Sequence, residues 1–512
     1  MLLGVPVLVL GGAFLATSPA QHDSALATQR DTAGSEFAAV DAFVAAEMDA
    51  QRIPGLALAI VRDDRVVHMR GFGEADESGR AVTARTPFVI GSLSKSVTAL
   101  AIMQLVEAGE VELDAPVVRY LPWFRVADEA ASAEITVRHL LNQTSGLSTK
   151  TGRSFQGQWD TSPSALESAV RKLESAALTA PVGETHQYST VNYSVLGLIV
   201  QVVSDQSYET YVEDSIFDPL KMRHSFTSKS DAEPDGLATG HRYWFGRAEA
   251  TDEPHNRGLV PAGYLVSTAE DLAHYVIAQL NQGTFDGVRV LSPAGTATMH
   301  RAAVPTPVTD TSYGMGWFVG PVNDIPAVFH QGETFSYHSN IVLIPGSDQG
   351  VVVLMNAENS QDLFFRGRMG TVGAGVASLI QGQEPPPPPS STGLFVAYAL
   401  VLGVICLQAI GMVRSARNLR RRRLPAGRFG LRVRAAGALA GNLAWGLFAL
   451  VLLPKQLGAP LQTLAHGLPD FAYALMASGM VALGWGVART VWTYIAFRGG
   501  PPAGLTEARA VT

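Results

Sequence analysis

Two side chains three positions apart carry the first chemical signal of this chain. They are Ser92 and Lys95, in the stretch Phe88-Val89-Ile90-Gly91-Ser92-Leu93-Ser94-Lys95. A serine hydroxyl attacks a carbonyl carbon once a base takes its proton. On a helix, a residue three positions on lies on the same face, so the Lys95 amine can reach the Ser92 hydroxyl. A desolvated lysine gives up its proton and can serve as that base, which arginine cannot do. The chain holds only six lysines among 38 basic residues, and Lys95 alone has a serine three positions before it. The pair therefore predicts an acyl-transferring serine enzyme rather than a solvated surface lysine.

The elements that must hold this pair are legible from periodicity. Leu93, Val97, Leu100, Ile102, Met103, Leu105 and Val106 recur at helical spacing and Gly109 supplies a stop, so Ser92 is expected to open a buried helix reaching Ala108. Upstream, 36–51 reads as a helix, and the β-rich runs 55–61 and 65–71 flank Arg62-Asp63-Asp64 as a hairpin. Near the other end, 312–319, 327–330, 338–344 and 350–355 read as strands, and 363–380 as a closing helix. Between them the signals are mainly helical, including 192–203 and 268–282. The expected fold is α+β: an antiparallel sheet built from both ends of the domain, flanked by helices, with a helical insertion.

Charge divides the chain. From Pro385 onward there are thirteen Arg or Lys against Asp470 and Glu507, a net of +11; with −7 overall, the preceding part carries −18. So acidic a globular part argues against nucleic-acid binding. The single cysteine, Cys406, excludes an internal disulfide and a cysteine-based metal site.

A run of five prolines, Pro385 to Pro389, followed by Ser390-Ser391-Thr392, predicts a stiff linker over 384–392. Beyond it, apolar runs at 393–413, about 435–453 and from about 471 predict three transmembrane helices within 393–498, ahead of a tail at 499–512. Nine arginines lie between the first two runs, from Arg414 to Arg434. The positive-inside tendency places them, and the C-terminus, in the cytoplasm and the enzyme-like domain, 36–380, outside it. Residues 1–20 read as a signal peptide or N-terminal anchor.

With these residues in place, the external part resembles the serine β-lactamase and penicillin-recognising superfamily, in its class C β-lactamase-related branch. The resemblance spans about Glu36 to Ile380. It rests on the Ser92/Lys95 helix, Leu113-Asp114-Ala115-Pro116-Val117, Thr144-Ser145-Gly146-Leu147, Tyr188-Ser189-Thr190, Tyr313-Gly314-Met315-Gly316-Trp317 and His330-Gln331-Gly332. It implies the β-lactamase/transpeptidase-like fold and a catalytic serine, Ser92, with Lys95 and Tyr188 managing its proton.

The same resemblance implies an oxyanion site from the backbone amides of Ser92 and Glu333, with Thr190, His330 and Gly332 lining the substrate site. No cofactor or metal is required. Three positions depart from the family pattern. Thr190 stands where the second motif has Asn; His330 replaces the lysine of Lys-Thr-Gly, and its lone imidazole, expected on an edge-type strand, is a weaker partner for a carboxylate; Ser336 replaces a glycine.

These departures rank the substrates: an ester or amide first, a cell-wall D-Ala-type peptide second, a β-lactam third, with lipid esters among the small molecules considered. A reading of another class is a catalytically weak, membrane-tethered binding module. There is no Gly-x-Ser-x-Gly elbow, which weighs against an α/β-hydrolase.

Overall fold

The computed structural model describes residues 36–308, 310–358, 369–387, 392–420, 428–457 and 460–498. The expected leader at 1–20, the middle of the linker and the tail lie outside the described residues.

An eight-stranded antiparallel sheet forms the body. Its strands are β1 (Gly55–Arg62), β2 (Arg65–Gly73), β3 (Val304–Pro305), β4 (Ser312–Tyr313), β5 (Phe318–Val322), β6 (Ile325–Glu333), β7 (His338–Ile344) and β8 (Gln349–Met355), in the spatial order β2-β1-β8-β7-β6-β5-β4-β3. β1 thus pairs with β8, joining the two ends of the domain in register from Leu56↔Met355 to Arg62↔Gln349.

Both faces of this sheet are covered, and β1 shows how. Its small residues Ala57, Ala59 and Val61 join the core beneath helix α2 (Ser94–Glu107). The larger Leu56, Leu58 and Ile60 face the opposite core, built with α1 (Ala38–Gln51) and α6 (Gly370–Ile380). Strand alternation sends successive side chains to opposite layers, and each fully buried aliphatic contributes about 1.5–3 kcal/mol. The first core continues into a helical region that contains α3 (Thr149–Phe155), α4 (Thr190–Ser204) and α5 (Ala269–Leu280).

Two expectations are corrected in detail, and a third falls partly outside the described residues. The run 312–319 is two strands, because Gly316, at φ 82°, turns the chain between them and Gly314 N–H donates to the Trp317 carbonyl at 2.8 Å. The helix expected from 363 is described from Gly370, and 363–368 lie outside the described residues. The strand carrying His330, β6, is interior, flanked by β5 and β7. Yet its pairing with β5 ends at Phe329, so His330 to Glu333 run past β5 while still paired with β7.

C-terminal to this domain, α7 (Thr392–Arg420), α8 (Arg428–Leu447) and α10 (Pro469–Arg498) are long, with a short α9 (Leu461–Gly467) ahead of the last. Tyr398–Asn418 in α7, Ala435–Leu457, which runs on from α8 through two further helical segments (Phe448–Leu452 and Leu453–Leu457), and Pro469–Ile495 in α10 are long and apolar enough to cross a membrane. The third span is longer than its apolar run suggests, because Arg489 falls within the same helix.

Candidate active site

Ser92 sits in a tight helical turn, Gly91–Leu93, from which α2 continues. It is the half-exposed member of an otherwise buried stretch. Helix α2 is apolar nearly all round and is buried on all sides, and its buried hydroxyls are satisfied locally. Ser94 Oγ donates to the Gly91 carbonyl and Ser96 Oγ to the Leu93 carbonyl, each at 2.8 Å. A helix so enclosed holds Lys95 without freedom, and Lys95 is fully buried.

The Lys95 Nζ stands 2.7 Å from Ser92 Oγ and 2.6 Å from the carbonyl oxygen of Ala262. Burial lowers its pKa to about 7, against a smaller opposing pull from Glu333. The amine therefore exchanges its proton at neutral pH, as a base for serine must. The Tyr188 ring lies 4.9 Å from Nζ and lines the same cleft as Ser92. Burial pushes that phenol well above its ordinary range, so it remains protonated.

The segment carrying Tyr188 is held from behind by a residue that sequence reasoning did not single out. Gln143, in the left-handed region at φ 61°, accepts from Ser189 N–H at 2.9 Å and from Asn192 Nδ2 at 2.6 Å through its side chain. Its backbone carbonyl accepts from Gln187 N–H at 2.8 Å. Asn192, the amide nearest the second motif, is thereby turned away from the cleft, and Thr190 lines the cleft instead.

Opposite Ser92, the end of β6 presses its backbone against the catalytic turn. A Cβ on Gly91 would stand 2.4 Å from the Glu333 amide nitrogen, and Gly91 adopts φ 53°. Only glycine allows both the approach and the conformation. The amides of Ser92 and Glu333 are brought to one side of the cleft by this contact.

His330 is 2 % exposed, and both its ring nitrogens are engaged. Nδ1 lies 2.6 Å from the Gln331 carbonyl, which can only accept, so Nδ1 carries the proton. Nε2 then accepts from the Tyr313 hydroxyl at 3.3 Å. Burial and the nearby Lys95 lower its pKa to about 3, so the ring is neutral. Tyr313, whose segment gives no sign of this task, lies between His330 and Tyr193.

A second omission is Glu253, a buried carboxylate. It accepts from Tyr264 Oη at 2.9 Å, Thr334 Oγ1 at 2.7 Å, Phe335 N–H at 3.0 Å and Ser336 Oγ at 2.8 Å. Ser336, standing where a glycine was expected, is thus a ligand of the carboxylate that fixes the turn after β6. Together these elements enclose a cleft of about 360 Å³ lined by Ser92, Tyr188, Thr190, His330 and Glu333. Among the described residues no cluster could hold a metal ion.

The antiparallel sheet, the helical layers and this cleft define a fold of the β-lactamase and transpeptidase type. A sequence profile described as Beta-lactamase matches residues 40–370, and the chain belongs to that family. It is similar to Protein flp of Staphylococcus aureus (strain MW2), at 28% identity over 318 residues, covering 62% of this chain and 62% of the relative. The chain thus spans less than two thirds of the length of that relative. It is also similar to Penicillin-binding protein 4 of Amycolatopsis lactamdurans, at 30% identity over 338 residues, 63% of this chain and 87% of that one.

Among solved structures, the octameric penicillin-binding protein homologue from Pyrococcus abyssi matches with TM-score 0.59 and 27% identity, over 69% of this chain and 78% of that one. EstCE1, a hydrolase with promiscuous acyltransferase activity, shares the fold at TM-score 0.55 and 24% identity, over 62% of this chain and 92% of its own.

Proposed function

We propose that Ser92 is the nucleophile of an acyl-enzyme mechanism. The observation that carries this reading is the buried Lys95 amine, 2.7 Å from Ser92 Oγ, with its pKa lowered to about 7. In its neutral form the amine keeps one N–H on the Ala262 carbonyl and turns its lone pair to Ser92, accepting the proton as Oγ bonds to the substrate carbonyl carbon. The protonated Tyr188 hydroxyl, in the same cleft as Ser92, then donates to the departing alcohol or amine and is reprotonated through Lys95. The amides of Ser92 and Glu333 hold the oxyanion, with Gly332 allowing the strand to approach. Water completes the cycle by hydrolysing the acyl-enzyme. Thr190 lines the substrate side, and His330 positions Tyr313 and the strand rather than binding an anion.

The substrates favoured are esters or amides. A neutral His330 supplies no cation at the position where the family's third motif has its lysine, and Thr190 supplies no side-chain amide at the second. D-Ala-type peptides and β-lactams rank second and third.

The catalytic unit is assigned to 36–380, the linker to 384–392 and the membrane region to 393–498, with 1–20 a leader or anchor and 499–512 a cytoplasmic tail. The unit sits on the extracytoplasmic side. Two observations support that topology: the arginines between the first two spans, and the packing of α9, which joins the second and third spans, against the catalytic domain. A loop on the far side of a bilayer could not make that contact.

The test is hydrolysis of p-nitrophenyl butyrate by the full chain in detergent, native against Ser92→Ala, with intact-mass detection of an acyl adduct. Turnover and adduct both lost in Ser92→Ala is the expected result. A folded native protein with neither would remove the acyl-enzyme reading and leave a binding module.

A further inference from the structure

The short helix α9 does more than connect two membrane spans. Thr463, Leu464, Gly467 and Leu468, with Leu457 at the end of the second span, line the same cleft as Ser92 and Tyr188. Leu464 and Leu468 are buried although they belong to a loop between spans. The helix is fastened to the catalytic domain beside the cleft. The His466 ring lies 5.4 Å from Trp159 and 5.9 Å from Phe335, which themselves pack edge to face at 5.9 Å, and Arg242 donates to the Ala465 carbonyl at 3.4 Å. On the Trp159 side the fit is close, since a Cβ on Gly157 would stand 2.6 Å from Thr463 Oγ1. The cleft therefore has a roof, and the roof is continuous with the ends of two membrane-length helices.

The walls differ in polarity. Leu457, Leu464, Leu468 and Phe335 make the upper wall apolar, and at about 360 Å³ the chamber lies within the range of small-ligand pockets. Lower down, the Arg153 guanidinium lines the chamber half-buried. Its charge is felt by Glu333, but among the described residues it has no salt-bridge partner within 4 Å. A half-buried guanidinium without a paired carboxylate is a ready site for a planar or tetrahedral oxyanion. An apolar wall that begins at a membrane span, above an unpaired cation, matches a molecule with one chain in the bilayer and one anionic group.

We infer that the substrate is an acyl ester of an anionic membrane amphiphile, entering beneath α9, with its acyl chain along Leu457, Leu464 and Leu468 and its anion on Arg153. This rests on the Ser92 acyl-enzyme reading and specifies its substrate. Ser92 Oγ bonds to the acyl carbon as the ester C–O bond breaks, and the alcohol carrying the anionic group leaves with the proton that Ser92 surrendered. Water then adds to the acyl-enzyme, releasing a fatty acid and restoring the serine.

The test uses the full chain in phosphatidylcholine vesicles with three probes: p-nitrophenyl butyrate, 1-palmitoyl-lysophosphatidylglycerol and 1-monopalmitoylglycerol. The expected result is at least tenfold faster palmitate release from the anionic lipid than from the neutral one, a preference that Arg153→Gln removes. Leu464→Glu should lower the palmitoyl-to-butyryl ratio of kcat/KM at least tenfold. If that variant does not fold, Leu464→Ala should lower the ratio in the same direction. Failure of the native protein to cleave butyrate would strike the acyl-enzyme reading itself. Ser92-dependent butyrate cleavage with no palmitate release, or with ratios unmoved by the Leu464 and Arg153 variants, would overturn the amphiphile inference and leave the acyl-enzyme reading standing.

Discussion

Gly91 and Gly332 meet backbone to backbone. A Cβ on Gly91 would stand 2.6 Å from the Gly332 carbonyl carbon, and one on Gly332 would stand 2.1 Å from the Ile90 carbonyl oxygen. The turn carrying Ser92 and the strand opposite are thus in direct backbone contact, and the Ser339 hydroxyl, donating to the Ile90 carbonyl at 2.7 Å, braces the same junction. The expected effect of Gly332→Ala is a fall in kcat of about 10²–10³-fold, the cost of displacing one oxyanion donor. Steady-state ester kinetics check it, with Gly346→Ala, where a Cβ meets nothing within 4 Å, as the control expected to match the native enzyme.

Lys95 gives a prediction in two observables. Its folded pKa of about 7 lies below the ordinary 10.5, so between those values the unfolded chain holds more protons and stability rises with pH. The penalty of burying the lysine is complete below about pH 7 and is relieved towards pH 10.5. Lys95→Met should therefore abolish turnover while raising Tm relative to the native protein, most at pH 6 and least near pH 10. In the native enzyme kcat/KM should climb through about pH 7. Calorimetry across pH and a pH–rate profile test the two halves separately.

His330 should contribute nothing to that profile, because with its pKa lowered to about 3 it stays neutral throughout the working range. His330→Asn is expected to lower kcat by loosening Tyr313 while leaving the midpoint near pH 7 in place. A midpoint that moved would identify the imidazole as the titrating group.

Glu253→Gln should weaken the turn after β6. Four donors converge on the native carboxylate, and an amide turns one acceptor into a donor facing them. Stability is expected to fall by about 1–3 kcal/mol. Because Tyr264, Thr334 and Phe335 also line the cleft, kcat should fall with it. Thermal unfolding and ester kinetics on one preparation check both.

The legible part of the site was the part written in neighbouring letters. Ser92 and Lys95 share one helix, and β1 and β8 announce themselves through the nearly continuous apolar runs that a sheet covered on both faces requires, as does the second half of β7. Gln143 was invisible because its work depends on a left-handed backbone and on Ser189 and Asn192 arriving from elsewhere in the chain. Ala262 was invisible because it acts through a carbonyl, which every residue has. Arg153 gave no periodic signal, and Leu464 was hidden because nothing in a short inter-span segment says which cleft it covers. The strand of His330 was expected at an edge; the short strands that continue the sheet beyond it, β5, β4 and β3, five, two and two residues long, carry too little pattern to be counted in advance.

One contact distant from the chemistry governs how far this enzyme travels. Trp244 stacks on Tyr473 at 5.6 Å with ring planes 10° apart, and Phe245 N–H donates at 2.9 Å to Asp470, which also accepts from the Tyr398 hydroxyl. A loop of the catalytic domain is thereby clamped to the heads of the first and third apolar helices. On the proposed topology the prolines then set no working radius: the domain rides at one altitude above the lipid and does not swing out towards distant targets. Encounters become two-dimensional, so turnover should follow the mole fraction of substrate in the surrounding bilayer rather than its concentration in the water above it.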